Sequence, residues 1–278
     1  MKRKVIGSMI LAGLGFASNQ AMAVAAVPCS DPALVTAVGV LQQKAASVVP
    51  VGSTPNGGLG FPMWVTIVDN TGVVCSVVNS AGASDVEGFS GEAWLGSRVI
   101  SAQKANTANA FSHDAFPLST ANLFSAVQPW GSLYGLQHSN PVDATIAYDG
   151  DASTWGSGTT DPLVNNRIGG VNIFGGGLAL YVDDNGNAAG GIRKVGAIGV
   201  SGDTSCTDHV VAWKIRNQLG LDHVPAGVAN KGKDDAMIQD IVGSNGNFRS
   251  KSGFGHATCL NNPTDANDGG AIEGNKKH

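Results

Sequence analysis

The sequence predicts an α/β domain built around one antiparallel sheet. Segments with apolar residues at helical spacing alternate with short β-rich runs, in the order helix, two strands, helix, three strands, helix. Turn signals rich in Gly, Asn and Asp separate several neighbouring strands, as they do in hairpins. The sequence contains no internal repeat, so we expect one domain rather than an array of repeated units.

The first helix is predicted to begin at Asp31 and Pro32, because an acidic N-cap followed by proline is a common helix start. It is expected to end near Val48. A hairpin follows, since residues 64–68 and 73–78 are β-rich and enclose a turn signal at residues 69–72. The apolar stripe of the first helix consists of Leu34, Val38, Leu41 and Ala45.

A second helix is predicted over about residues 92–111, with Arg98 and Lys104 on faces other than its inner one. Residues 112–170 then show no sustained periodicity, and a coil of this length usually forms a functional loop or a lid. The inner face of the second helix consists of Leu95, Val99, Ala102 and Ala105. The aromatic residues of the 112–170 segment include Phe116, Phe124, Trp130, Tyr134, Tyr148 and Trp155.

Three strands are predicted next, at residues 171–174, 178–182 and 195–200. The triple glycine at 175–177 favours a tight hairpin, with an anion-binding loop as the alternative. The last helix is predicted over residues 206–219, with a capping box formed by Ser205 and Asp208. The C-terminal segment, residues 226–278, is polar. A short helix is expected there at 234–242, and disorder at 261–278.

Residues 1–23 are predicted to be a cleavable signal peptide. They combine a basic start, a short apolar run and an Ala-Met-Ala ending at Ala23, and the run is too short for a stable membrane anchor. We therefore expect a periplasmic or secreted bacterial protein with no membrane span after cleavage. Charged residues make up 14% of the chain, the net charge is −4 and there is no basic stripe, so nucleic acid is not an expected partner.

Four cysteines remain after the predicted cleavage, and an even number in an exported protein favours disulfides. Four cysteines allow three connectivities, and the sequence alone does not choose among them. The pair Cys206–Cys259 is favoured because it would tie the polar tail to a helix start, which leaves Cys29–Cys75. The alternative is that Cys75 is a buried free thiol in a strand.

Three segments resemble the GlcG/HbpS-like haem-binding family, also called the haem-degrading domain family. They are Val65-Thr-Ile-Val-Asp-Asn-Thr-Gly72, Ala102-Gln-Lys-Ala-Asn-Thr-Ala108, and Gly175-Gly-Gly-Leu-Ala-Leu180 followed by Val195-Gly-Ala-Ile-Gly-Val-Ser-Gly202 and Asp208. The resemblance covers roughly residues 35–219. It implies a profilin-like, five-stranded antiparallel sheet flanked by helices, a domain at 24–225, haem as the ligand, and a homo-oligomer. The chain departs from the family in an insertion within residues 112–170, in Cys206 and His209, and in the C-terminal segment.

Haem requires an apolar slot and usually an axial ligand from His, Met, Cys or Tyr. His209 is the leading candidate, because a helix N-terminus favours the neutral ring that binds metals and Trp213 lies one turn away. The alternative is that His209 only packs on Trp213. Further candidate ligand-binding residues are His138, Trp130 and Tyr134. The remaining internal histidines are His113, His223 and His256.

No catalytic motif is present: the sequence has no nucleophile elbow, paired His-Glu motif or Walker loop. The expected function is binding of haem or another small, flat ligand by an exported protein. Two alternatives stay open. One is an enzyme that degrades haem or acts on another small molecule, and the other is an oligomeric accessory protein without a ligand.

Overall fold

The computed structural model describes residues 27–50, 52–82, 93–186, 191–244, 247–264 and 266–273. The predicted signal peptide lies outside the described residues, as do residues 83–92, where the second helix was expected to begin. Within the described ranges, no helix combines the length and the apolar character needed to cross a membrane.

Five strands form one antiparallel sheet, as the sequence predicts. In chain order they are β1 (Trp64–Asp69), β2 (Val74–Asn79), β3 (Ser157–Gly158), β4 (Gly177–Asp183) and β5 (Ile192–Ser201), and their spatial order is β3-β2-β1-β5-β4. The predicted fold class, α/β with a helix-flanked antiparallel sheet, is therefore confirmed. Strand β5 pairs with both β1 and β4, which places it inside the sheet.

Helices cover both faces of the sheet. On one face, α1 (Pro32–Val48) and α5 (Ser205–Gln218) contribute residues such as Leu34 and Ile215 to a core with the strands. On the other face, α2 (Gly96–Ala110) packs through Val99, Ala102 and Ala105, together with apolar residues of the 112–170 segment. Asp31 caps α1 as predicted, by accepting a hydrogen bond from Ala33 N–H.

The strand predicted at residues 171–174 is wrong. Its backbone bonds side chains instead of a neighbouring strand, since Asn172 N–H donates to the Thr107 hydroxyl and the Phe174 carbonyl accepts from Thr120. The fifth strand is β3, which pairs with Val77 and Val78. Two residues are too few to produce a periodic signal, so the sequence pattern could not reveal β3.

Helix α2 begins at Gly96 rather than near residue 92, and Leu95 is exposed. Arg98 and Lys104, which the sequence places on faces other than the inner one, are both buried, and the helix pattern gives no sign of this. Each is neutralised by a distant carboxylate, Asp161 for Arg98 and Asp208 for Lys104. Helix α2 is enclosed on both sides, by the sheet and by the 112–170 segment, so it has no wide solvent face for its cations.

The 112–170 segment is built from short turns. Asp161 anchors it beneath α2, accepting hydrogen bonds from Arg98 and from the N–H groups of Gly156 and Leu163. Asn165 and Asn166 exchange backbone hydrogen bonds with Val74 of β2. Its regular pieces are 3-10 helices at Thr120–Leu123, Ser125–Val127 and Ala152–Thr154, and α-helical turns α3 (Leu136–Ser139) and α4 (Ala144–Ala147).

Helix α5 confirms the predicted last helix, but its cap differs. Thr204 is the N-cap and accepts from Thr207 N–H, so the predicted Ser205 cap is displaced by one residue. The Asp208 carboxylate accepts from the backbone N–H of Asp203 just before the helix. Both predicted disulfides are present, Cys29–Cys75 and Cys206–Cys259.

The C-terminal segment is folded where the structure describes it. The helix predicted at 234–242 is wrong, and so is the disorder predicted over 261–273. Asp235 pairs with Arg216 of α5 at 2.8 Å, and Ile272 is buried, so the segment is held by contacts that composition does not reveal. Its strands are β6 (Met237–Ile238), β7 (Ile241–Ser244), β8 (Asn247–Ser250) and β9 (Ile272–Glu273).

Candidate functional site

The aromatic cavity lies between the 112–170 segment and the C-terminal segment. Its volume is about 390 Å³, within the range of about 300–1,000 Å³ found for small-molecule sites. Aromatic rings with a few amide, hydroxyl and imidazole groups make up its wall, which suits a flat, apolar ligand. The lining residues are Phe124, Gln128, Trp130, Gln239, Ile241, Phe248, His256, Ala257 and Thr258.

His256 supplies the imidazole of this cavity. Its Nδ1 atom lies 2.7 Å from the Ala257 carbonyl oxygen, which can only accept, so Nδ1 carries the proton and Nε2 keeps its lone pair. Nε2 faces the Ser205 hydroxyl at 3.3 Å, and the Phe124 ring lies 4.6 Å from the imidazole. Burial lowers the pKa of His256 to about 4. The ring is therefore neutral at physiological pH, which is the form that binds metals.

A guanidinium group lies beside the same cavity. Arg249 stacks over the Trp130 ring at 4.7 Å, a cation–π contact, and its side chain is otherwise exposed. Among the described residues that line the cavity there is no carboxylate. An anionic group on a bound ligand would therefore meet a cation and no opposing acid at this edge.

His256 also lies next to the Cys206–Cys259 disulfide, with one ligand atom of each residue within 4.8 Å of the others. Cysteine binds metals as a thiolate, and both sulfur atoms are engaged in the bridge. In the oxidised protein this cluster therefore leaves His256 as its available donor.

A second cavity, the acid–amine groove, runs along the start of α5 and has a volume of about 280 Å³. Lys104 Nζ donates to the Asp208 carboxylate at 2.7 Å and to the Val200 carbonyl at 3.0 Å. Burial is the largest influence on both groups: it lowers the pKa of Lys104 and raises that of Asp208 to about 6. The lining residues are Trp94, Ser97, Ile100, Lys104, Phe174, Ser201, Asp203, Ser205 and Asp208.

The predicted ligand residues His209 and Trp213 are adjacent but enclosed. Their ring centroids are 6.4 Å apart, and the His209 side chain has no exposed surface. Neither ring nitrogen makes a hydrogen bond of ordinary geometry within the described part of the chain, although the Ala271 backbone lies close enough to favour the charged ring. Burial nevertheless lowers the pKa of His209 well below its ordinary value. Neither residue lines the aromatic cavity or the acid–amine groove.

The remaining predicted residues are dispersed. Trp130 lines the aromatic cavity, whereas Tyr134 and His138 are exposed and line neither cavity. Sequence reasoning did not single out His256, because its Gly- and Ser-rich surroundings predict no regular element. It also gave Lys104 no functional role, because the helix pattern does not reveal that this lysine is buried.

A family model for the haem-degrading protein HbpS-like matches residues 57–216. The chain belongs to the HbpS-like family. The predicted resemblance is therefore confirmed. All residues that line the acid–amine groove fall inside the matched region, whereas the aromatic cavity combines residues 124–130 from inside it with residues 239–258 from beyond it.

Two solved structures are similar to this HbpS-like chain. The Klebsiella pneumoniae protein ORFY, of the DUF336 family, is 23% identical with a TM-score of 0.39, and the match covers 66% of this chain and 88% of that one. The PduOC:heme complex is 21% identical with a TM-score of 0.40, and the match covers 69% and 94%. No curated protein matches the chain.

Proposed function

We propose that this HbpS-like protein is exported and binds haem, or a flat molecule like it, in the aromatic cavity. The observation that carries the proposal is His256, a neutral imidazole in the wall of an aromatic cavity, whose unprotonated Nε2 has only a long contact of 3.3 Å to the Ser205 hydroxyl among the hydrogen bonds of the described residues. The family description names haem, and the PduOC relative is a haem complex.

The residues that line the aromatic cavity fit a haem group. His256 would hold the iron, because its Nδ1–H is already fixed by a carbonyl in the way that orients histidine ligands. Trp130, Phe124 and Phe248 would contact the faces of the macrocycle, and Arg249 would pair with a propionate. Bound haem would supply an iron centre that changes its oxidation state. A cavity of about 390 Å³ would enclose part of such a ligand and leave the rest in solvent.

A hemin titration of the protein without residues 1–23 tests the proposal. We expect a saturable Soret band, and a loss of affinity of at least about tenfold in His256→Ala, because the iron loses its axial ligand. Trp130→Ala should also weaken binding. His138→Ala is the matched control, because this histidine is exposed on α3 and should leave the titration unchanged.

Three outcomes would contradict the proposal in different ways. Absence of a saturable band would favour an accessory protein without a ligand. A band that survives in folded His256→Ala but disappears in folded His209→Ala would make His209 the ligand, as the sequence pattern predicts. Loss of the band when a reductant is added would indicate haem degradation rather than simple binding.

Export is supported by the residue pattern at 1–23 and by the two disulfides, which persist in oxidising compartments. We expect bacterial expression of the full chain to yield periplasmic or secreted protein whose N-terminus lies near Val24. Mass spectrometry of the fractionated protein measures this. Intact protein in the cytosol with four reduced thiols would overturn the proposal of export.

Self-association belongs to the same proposal. Trp94, Leu95 and Phe174 are exposed by 50%, 41% and 47%, and Trp94 and Phe174 line the acid–amine groove. Exposed apolar groups of this size often mark contact surfaces. Sedimentation velocity should therefore show an oligomer that Trp94→Ser weakens. A monomer at all concentrations would refute this part.

A further inference from the structure

The acid–amine groove contains a buried amine that the haem proposal does not use. Lys104 extends from α2 to the end of β5, where its Nζ atom bonds the Val200 carbonyl and the Asp208 carboxylate. Only 1% of its side chain is exposed, yet it lines a cavity of about 280 Å³. Small carbonyl compounds can fit in a space of this size.

The local backbone keeps the surroundings of the amine open. Gly176 has φ +115°, and a Cβ atom at this position would lie 3.2 Å from Lys104 Nζ and 2.4 Å from the Val200 oxygen. A side chain at position 176 would thus press on the amine and on the carbonyl that holds it. The triple glycine, which the sequence pattern assigned to a hairpin, allows β4 to begin directly beside Lys104.

We propose that Lys104 is a nucleophilic amine that forms an imine with a small aldehyde or ketone bound in the acid–amine groove. Both polar and apolar side chains line the space for the carbonyl compound. The hydroxyl groups belong to Ser97, Ser201 and Ser205, and the apolar side chains belong to Trp94, Ile100 and Phe174. The groove and the aromatic cavity have no lining residue in common, although Ser205 of the groove contacts His256, so the carbonyl chemistry is tested without hemin.

Lys104 and Asp208 together can carry out every proton transfer that imine formation requires. The Lys104 ammonium gives a proton to Asp208, and the neutral nitrogen attacks the carbonyl carbon to form a carbinolamine. Asp208 returns the proton to the departing hydroxyl, water leaves, and a protonated imine remains beside the Asp208 carboxylate. One carbonyl compound is consumed, one water is released, and no oxidant or reductant is needed.

Burial supports the first of these steps. It lowers the pKa of Lys104 and raises that of Asp208, so proton transfer within the pair costs less than it would in water. The carboxylate of Asp203 also lines the groove, but it is occupied by the backbone N–H groups of Leu59 and Gly60. Asp208 is therefore the acid in hydrogen-bond contact with the amine.

Reductive trapping on the wild-type protein is the primary test. The folded protein is incubated with butanal and sodium cyanoborohydride at pH 7, and the modified lysines are mapped by peptide mass spectrometry. We expect Lys104 to be alkylated at least about tenfold faster than Lys194, because Lys104 alone of the two lines a groove that can hold the aldehyde next to an acid in contact with the amine. Lys194 is a suitable internal control. Its pKa is also lowered by burial, but it lies outside the groove and bonds Asn109.

A variant that fills the groove distinguishes a nucleophilic Lys104 from a lysine that only forms a structural ion pair with Asp208. Ile100→Trp should fill the groove and slow labelling of Lys104 at least about tenfold while Lys194 is unaffected. A structural pair would show no preference for Lys104 in the wild-type protein. Equal labelling of Lys104 and Lys194, or labelling that Ile100→Trp leaves unchanged, would overturn the proposal.

Discussion

At the scale of single residues, His256 couples the stability of the protein to pH. Its pKa is about 4 in the folded protein, against about 6.5 in an unfolded chain. The unfolded chain therefore binds more protons between these values, so the contribution of His256 is complete above pH 6.5 and is lost as the pH falls through 4. His209, whose pKa is also lowered by burial, acts in the same direction.

We predict that the free energy of unfolding of the wild-type protein, relative to His256→Gln, decreases by about 3 kcal/mol between pH 7 and pH 4. Denaturant titrations of both proteins at several pH values measure this difference. Taking the difference removes the opposing contribution of Asp208, whose raised pKa favours the folded state at low pH. His113→Gln, at an exposed position, is the control. A difference that does not change with pH would contradict the burial argument.

Asp161 is predicted to be one of the most sensitive positions in the 112–170 segment. Asp161→Ala would leave the Arg98 guanidinium buried without its acid and would remove the acceptor for two backbone N–H groups. Loss of one partner of a buried pair costs about 3–5 kcal/mol, which urea denaturation can measure. Asp149→Ala, at an exposed position of the same segment, should change stability by less than about 0.5 kcal/mol.

The residue scale is where the sequence was least informative. Arg98 and Asp161 are 63 positions apart, and Lys104 and Asp208 are 104 apart. A cation in a helix pattern indicates a solvent-facing position unless its partner is known, and local periodicity contains no information about such a distant partner. His256 was not preferred over His209 for a related reason, since its burial depends on how a polar, Gly- and Asn-rich segment folds.

At the scale of elements, the two disulfides provide a matched pair of experiments. Their sequence separations are 46 and 53 residues, so each should contribute a similar amount, about 4 kcal/mol in the chain-entropy account. We predict that replacing both cysteines of either bridge by serine lowers stability by a comparable amount, measured by chemical denaturation.

The two bridges should differ in their effect on hemin. Cys206–Cys259 ties the C-terminal segment to α5 next to His256, whereas Cys29–Cys75 ties the chain before α1 to β2. Loss of the first bridge should weaken hemin binding, and loss of the second should leave it unchanged in the folded protein. If loss of either disulfide changed hemin affinity by the same amount, the C-terminal segment would not shape the aromatic cavity.

The longer elements were predictable because their signals repeat. Helices α1, α2 and α5 each provide several turns of apolar residues at helical spacing, and the hairpin β1–β2 provides two β-rich runs around a turn signal. Strands β3, β6 and β9 have two residues each, and their existence depends on partners elsewhere in the chain. The helix predicted at 234–242 does not form, because β6 and the first residues of β7 lie in this range and pair with β9 and β8.

At the scale of the whole molecule, ligand binding should stabilise the fold. A ligand that binds the folded chain alone adds about 2.7 kcal/mol when present at 100 times its Kd. For a protein of this size, that corresponds to a rise in Tm of about 5–10 °C. Differential scanning fluorimetry with and without hemin measures the shift, with zinc protoporphyrin as a second planar ligand. No shift at saturation would mean that hemin binds a surface which unfolding does not disrupt.

The aromatic cavity and the acid–amine groove also depend on how the whole molecule folds. The sequence predicted a ligand site involving the 112–170 segment and the start of the last helix, and the structure places one cavity beside each of them. The residues that complete the aromatic cavity come from residues 239–258 of the C-terminal segment, where the sequence predicts only a short helix at 234–242. A site between two irregular segments has no local pattern, so its position could not be read from either segment alone.

The two-residue strand β3 has a consequence for the behaviour of the chain among its own copies. Strand β2 is buried along its length and would form an open edge of the sheet if β3 and the backbone of Asn165 and Asn166 were removed. Exposed edges of this kind recruit strands from other molecules and lead to aggregation. The 112–170 segment thus covers this edge of the sheet. A chain that reaches its final compartment before this segment has docked would be most vulnerable to aggregation at β2.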